Sequence, residues 1–282
     1  MKTYALNDGN SIPALGCGVF EVPADGSTYR AVRMALDAGY RHIDTAAAYN
    51  NEAEVGRAIK DSGIQREDLF VTSKLWIQDY GYEKACLGIR ASLARLGLDY
   101  LDLYLLHQPY YDVQGSWRAL EKARDEGLVR SIGVSNFTPR LWQEHIPHFA
   151  IKPCVNQVEF HPFWQQRDLR AILEAEGVLL AAWSPLGHGM KELLTHPLIH
   201  EIATRYQREP VQIILRFELQ EGCAVLVKST NPAHIASNLA LFDFALSEED
   251  MKVLRGLDTN HGMRDPEEPG RAEYLLAKYR VR

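Results

Sequence analysis

The sequence predicts a closed (β/α)8 barrel, and three observations carry that prediction. Short apolar runs alternate eight times with longer segments whose apolar residues recur at helical spacing, a pattern that implies parallel strand pairing. Eight such units within about 250 residues suit a closed barrel better than an open doubly wound sheet. The first apolar run, "LGCGVF" at 15–20, does not open the G-x-G-x-x-G loop that an open dinucleotide-binding sheet would need there.

Each unit follows in order. "LGCGVF" precedes "YRAVRMALDAG" (29–39), where Ala31, Met34, Ala35 and Ala38 fall at helical spacing. "RHIDTA" precedes "NEAEVGRAIKDSG", and "DLFVTSKLW" precedes "YEKACLGIRASLARLG". "YLDLYLLHQ" leads to "SWRALEKARDEG", "VRSIGVSNF" to "RLWQEHIPH", and "PCVNQVEF" to "QRDLRAILEAEG". "VLLAAWSPLG" leads to a helical stretch from Leu198 to Glu221, and "CAVLVKS" to "PAHIASNLALF". Gly39, Gly63, Gly97, Gly127 and Gly177 stand just after helical segments, where a left-handed cap is expected. No linker-like or low-complexity stretch divides the series, so residues 1–282 read as a single domain.

Composition narrows the partners. A hydrophobic share of 46% with 24% charged residues supplies a large core. A net charge of −6 and the lack of any long basic run argue against nucleic acid or an anionic membrane surface. No segment approaches about eighteen consecutive apolar residues and the N-terminus shows no apolar leader, so a soluble cytoplasmic monomer is expected. Cys17, Cys86, Cys154 and Cys223 are widely spaced and read as reduced thiols. "HPLIH" sets His196 and His200 four apart but lacks the zincin glutamate, so no metal is expected.

In TIM-type barrels the active site gathers at the C-terminal ends of the strands. The polar residues closing the apolar runs are Asp44, Lys74, His107, Ser135 with Asn136, Gln157, Trp183 with Ser184, and Lys228 with Ser229. Singly, each has an ordinary structural explanation: a capping aspartate, a snorkelling lysine, a turn histidine. Gathered on one rim they do not, because a buried lysine or aspartate is costly alone and tolerable only when paired. Tyr49 comes from a loop on that rim. The Lys74 ammonium, held by Asp44, is expected to lower the phenol's pKa and make it a better acid. A neutral His107 suits the orientation of a carbonyl oxygen. The set contains no nucleophile and no metal, so the carbon must take its electrons from a hydride-donating cofactor.

"GYRHIDTAAAYNNEAEVG" (39–56), "VTSKLW", "LLHQP", "GLVRSIGVSNF", "NQVEFHP" and "WSPLG", in that order, make the chain resemble the aldo-keto reductases from about Leu6 to "RDPEEPGR". "HQPYYDVQGSWRALE" and the short loops resemble the bacterial branch that includes 2,5-diketo-D-gluconate reductases. The resemblance implies an NADPH-dependent reductase of aldehydes and small ketones. Tyr49 would donate the proton, assisted by Lys74 and Asp44, with His107 orienting the carbonyl. Asp44, Ser135, Asn136 and Gln157 would border the nicotinamide, the last three bonding its carboxamide. Trp183, where the family usually has tyrosine, would stack on the ring. Ser184 and Leu186 would meet the pyrophosphate region, and Lys228 with Ser229 would clamp the 2′-phosphate. Phe20, Trp76, Tyr110 and Tyr111 would line the substrate pocket beside Tyr49 and His107.

The last motif departs from the family pattern. "KSTNPAHIASN" (228–238) has His234 in place of an arginine and Ser237 in place of a glutamate, while Asn238 is retained. Histidine is shorter than arginine and largely neutral at pH 7, so NADPH preference should be weaker and NADH use follows as an expectation. Two rival readings differ in chemistry. A Schiff-base aldolase or isomerase would use Lys74 but leave Tyr49, Asn136 and Gln157 without roles. A nucleotide-binding regulatory or redox-sensing protein would have no need of a proton donor.

Overall fold

The computed structural model describes residues 2–282. The chain starts with an antiparallel hairpin, β1 (Thr3–Ala5) against β2 (Ser11–Pro13), which the sequence pattern did not single out. Eight parallel strands follow: β3 (Leu15–Gly18), β4 (His42–Asp44), β5 (Phe70–Leu75), β6 (Leu101–Leu106), β7 (Val129–Ser135), β8 (Val155–Glu159), β9 (Leu179–Trp183) and β10 (Ala224–Val227). They pair in chain order and β10 closes onto β3, which completes the barrel. Both faces of each strand are covered, so the interiors read as continuous apolar runs; every residue of β5 and β6 is buried.

Helices α1 (Ser27–Ala38), α2 (Glu52–Ser62), α3 (Tyr82–Leu96), α4 (Val113–Asp125), α5 (Pro139–His145) and α6 (Arg167–Ala175) follow the first six barrel strands. Gly39, Gly63 and Gly97 are left-handed C-caps directly, whereas Gly127 and Gly177 take positive φ one residue later. The helical stretch expected from Leu198 to Glu221 is two helices, α8 (Pro197–Tyr206) and α9 (Pro210–Gln220), preceded by a single turn, α7 (Lys191–Leu194). The break has a local cause: Gln207 is left-handed and Pro210 starts the next helix at its first position. After β10 come α10 (Pro232–Ser237), α11 (Glu248–Arg255) and α12 (Arg271–Lys278), the last two lying beyond the eight repeating units. No helix among the described residues is long and apolar enough to cross a membrane.

The main core lies between the strands and the surrounding helices. A second cluster fills the N-terminal end of the barrel. It joins Leu6 and Ile12 of the hairpin region to Phe70, Val155 and Ala224, the first residues of their strands. Ile12 is fully buried, and the Tyr4 hydroxyl donates to the Leu219 carbonyl at 2.7 Å. The hairpin therefore plugs the lower mouth and leaves the upper one open.

Candidate active site

At the upper mouth the barrel pleat turns the strand-end side chains inward. Asp44 is the last residue of β4, Lys74 the penultimate residue of β5, and His107 immediately follows β6. Tyr49 ends a 3-10 turn (Ala47–Tyr49) that leaves β4. Lys74 is completely buried; its Nζ donates to Asp44 Oδ1 at 2.5 Å and to the Thr45 carbonyl at 2.9 Å. Gln157 Nε2 donates to the other Asp44 oxygen at 2.9 Å. The carboxylate is thus held from two sides and fixes the ammonium 5.2 Å from the centre of the Tyr49 ring. Tyr49 and His107 meet edge to face at 5.6 Å, with Phe20 5.0 Å from Tyr49 and Trp76 5.0 Å from His107.

The electrostatics differ from the sequence expectation at Tyr49. Its pKa is raised well above the ordinary phenol value, first by burial and then by the Asp44 carboxylate, with smaller contributions from Tyr279 and Glu21. The Lys74 ammonium does not outweigh these two effects; it is paired with Asp44, and burial lowers its own pKa. Tyr49 therefore stays protonated through neutrality. It is a weak acid, but an alkoxide is a far stronger base than a phenolate, so transfer to a developing alkoxide remains downhill. Burial and the Lys74 charge push the His107 pKa well below the usual imidazole range. His107 is neutral, and its Nδ1 has no protein hydrogen-bond partner.

A second set borders the same cavity from β7 to β9. Ser135 ends β7 and donates to the Gln157 carbonyl at 2.8 Å. Asn136 and Ser184, each just past a strand end, take left-handed backbone (φ 66° and 50°), an uncommon conformation that concentrates at functional turns. Asn136 Nδ2 donates to the His107 carbonyl at 3.0 Å, and Trp183 Nε1 donates to Asn136 Oδ1 at 3.0 Å. The Trp183 indole is thereby tethered, through one amide, to the histidine side of the site.

These groups line one cavity of about 400 Å³. Phe20, Asp44, Tyr49, Trp76, His107, Tyr110, Ser135, Asn136, Gln157, Trp183, Ser184, Leu186 and Lys228 all border it, while Lys74 lies behind the wall. Tyr111 does not border it. A left-handed turn (φ 59°) sends its side chain outward, 52% exposed, so the reading of Tyr111 as a pocket aromatic is corrected. Ser229 and His234 stand on an adjoining groove with Lys228, facing Arg30 and Arg33 of α1. Asn238 is buried and borders neither space. The sequence reading expected the tail from His261 onward to shape specificity but singled out none of the residues that complete the wall: His188, Met263, Arg264, Arg271, Leu275 and Tyr279. The segments carrying most of these cross the mouth through long-range bonds, such as Trp76 Nε1 to the Tyr279 carbonyl at 2.9 Å and Tyr110 hydroxyl to the Pro266 carbonyl at 2.6 Å.

Comparison with known proteins agrees with the barrel fold. The aldo/keto reductase family profile matches residues 14–259. An aldo-keto reductase of Mycolicibacterium smegmatis is 49% identical, covering 90% of this chain and 92% of the relative. The glyoxal reductase of Bacillus subtilis is 45% identical, covering 91% and 92%. The crystal structure of an aldo/keto reductase from Brucella melitensis superposes with a TM-score of 0.88 at 43% identity, covering 91% of this chain and 99% of that one. The chain belongs to the aldo/keto reductase family of NAD(P)-dependent oxidoreductases.

Proposed function

We propose that the protein reduces aldehydes and small ketones to alcohols with NADPH, on the pattern of the bacterial branch that includes 2,5-diketo-D-gluconate reductases. One observation carries the reading: a protonated Tyr49, a neutral His107 and a buried Lys74–Asp44 pair converge on a single cavity. The residues present also suit a nicotinamide nucleotide. Side-chain amides from Asn136 and Gln157 and the indole of Trp183 border the cavity, which extends to Lys228, a cation with no carboxylate within salt-bridge range among the described residues.

A reduced nicotinamide, when bound, supplies a hydride to the carbonyl carbon. The chain's own groups handle the oxygen. His107 holds the carbonyl oxygen next to Tyr49, and the Tyr49 hydroxyl passes its proton as negative charge develops there. Lys74, pinned by Asp44, stabilises the phenolate left behind. Trp76, Phe20 and Tyr110 exclude water and favour an apolar or sugar-like carbonyl compound. Lys228 and Ser229 favour a 2′-phosphate, and Arg30 on the same groove adds a cation where His234 stands in place of the family's usual arginine.

The test is loss of the reduced nucleotide's near-ultraviolet absorbance with a panel of uncharged aldehydes, run with NADPH and NADH in parallel. Aldehyde-dependent loss with a lower KM for NADPH is the expected result. No turnover with any aldehyde sinks the reductase reading, and a clear preference for NADH sinks the NADPH assignment alone.

A further inference from the structure

The stretch "NQVEFHP" (156–162) gives Gln157 to the active site and leaves two further groups without a task there. Glu159 ends β8 and is 2% exposed, and His161 follows it, fully buried. A buried carboxylate is costly unless it is well bonded, and among the described residues no lysine or arginine lies within salt-bridge range of this one. Its partners are His161 Nε2, which donates to Oε1 at 3.0 Å, and the Met263 backbone N–H, which donates to both oxygens at 2.9 and 3.1 Å. A charged group at the end of a barrel strand is thus devoted to one main-chain amide.

That amide lies on the segment that crosses the mouth, and the approach is close. A Cβ added at Gly262 would sit 2.9 Å from Trp164 Nε1 and 3.2 Å from Glu159 Oε2, so glycine lets the chain come down onto the end of β8. Upstream, Gln165 Nε2 donates to the Leu254 carbonyl at 3.0 Å. Thr259 donates to the Phe163 carbonyl through its N–H at 2.9 Å and its hydroxyl at 2.8 Å. The next hold is at Pro266, whose carbonyl accepts the Tyr110 hydroxyl at 2.6 Å. Between Thr259 and Pro266, among the described residues, the bonds that tie the segment to the barrel are those to Glu159. Met263 borders the cavity and Glu159 does not, so the carboxylate acts on the cavity through this segment.

We propose that Glu159 is a positioning residue for substrate specificity. It draws residues 262–263 onto the end of β8 and so sets the Met263 wall, against which the far end of an aldehyde packs. This rests on the reductase reading given above and adds a residue that fixes how long a substrate the cavity favours. Glu159 takes no part in the chemistry at His107 and Tyr49.

The experiment measures kcat and KM for unbranched aldehydes from propanal to octanal, at saturating reduced nucleotide. It uses the full-length wild type and the Glu159→Gln, Gly262→Ala and double variants. Wild-type kcat/KM should rise with chain length, by up to about fourfold per buried methylene. Glu159→Gln keeps the side-chain volume but turns an amide N–H2 toward the donors it must accept from. Its propanal kcat/KM should stay within about twofold of wild type, while that for octanal falls at least about tenfold, through KM, since the wall is met equally in ground and transition states. Gly262→Ala leaves the carboxylate in place and pushes the chain off Trp164, so it should flatten the length dependence in the same way. The double variant should lose no more than the worse single one, because both changes break the same contact. A variant that merely folded poorly would lose the same fraction of kcat at every length, so the slope isolates the wall.

Glu159→Gln with the wild-type slope would overturn the proposal, whatever Gly262→Ala does. A wild type indifferent to chain length, an equal loss at every length, or losses that multiply in the double variant would overturn it too, and each leaves the reductase reading standing. Absence of turnover by the wild type with every aldehyde would sink both.

Discussion

Replacing Tyr49 with phenylalanine keeps the ring packed against Phe20 and His107 and removes only the hydroxyl. Tyr49→Phe is expected to lower turnover roughly 10²–10⁴-fold, the usual worth of a positioned general acid, with nucleotide affinity close to wild type. Unchanged turnover would mean that another group delivers the proton. The polar site residues most legible in the sequence were those that closed an apolar run, because a charged group there has no bland explanation once several share a rim. The direction of the Tyr49 pKa was not legible. It depends on burial and on Asp44 outweighing a nearby ammonium, and that balance exists only in three dimensions. Glu218, in α9, is a separate case at this scale. It is fully buried, neither carboxylate oxygen has a hydrogen-bond partner, and desolvation raises its pKa well above 4.5. The folded state then holds a proton that the unfolded state releases, so stability is greatest below the unfolded pKa and is lost as pH rises through the folded one. Glu218→Gln should remove that loss. Chemical denaturation should find its stability relative to wild type growing from mildly acidic to alkaline pH, and a difference independent of pH would refute the account.

Among elements, the contact between α2 and α3 gives a sharp test. A Cβ at Gly56 would collide with the backbone of Leu96, including its carbonyl oxygen, and backbone cannot swing aside as a side chain can. Glycine to alanine inside a helix ordinarily gains about 1 kcal/mol from propensity. Here overpacking costs about 1–3 kcal/mol, so Gly56→Ala should be net destabilising in denaturant titrations. A stabilised variant would show that the helices separate cheaply. Strand order and the first six helices were readable because parallel strands and amphipathic helices leave different periods. The hairpin β1–β2 was not, since each of its strands has only three residues and no run long enough to show a period. Helices α11 and α12 were missed for another reason: they follow the eighth unit, where the alternation that announced the others has ended.

At the level of the whole molecule, the C-terminal tail acts as a strap across the mouth. Asn50 Nδ2 donates to the Arg280 carbonyl at 2.8 Å, and the Arg282 N–H donates to Asn50 Oδ1 at 3.0 Å. Trp76 Nε1 holds the Tyr279 carbonyl, and the Tyr279 ring lies 6.0 Å from Phe20. The strap joins the Tyr49 turn to the Trp76 turn, segments far apart in sequence, which is why no local pattern revealed it. Deleting Tyr279–Arg282 should raise the substrate KM by roughly tenfold, equivalent to about 1.4 kcal/mol, while the Tm falls by only a few degrees. A large loss of Tm with KM unchanged would assign the tail to folding instead.

The plugged lower end has a kinetic consequence. With Ile12 and Leu6 sealing the floor, two reactants must pass through a single doorway, and whichever arrives first is walled in by the second. Departure then runs in reverse: under the proposed reduction, a nucleotide that enters first leaves last, after the alcohol. Steady-state product inhibition should accordingly show oxidised nucleotide competing with reduced nucleotide, and alcohol failing to compete with it.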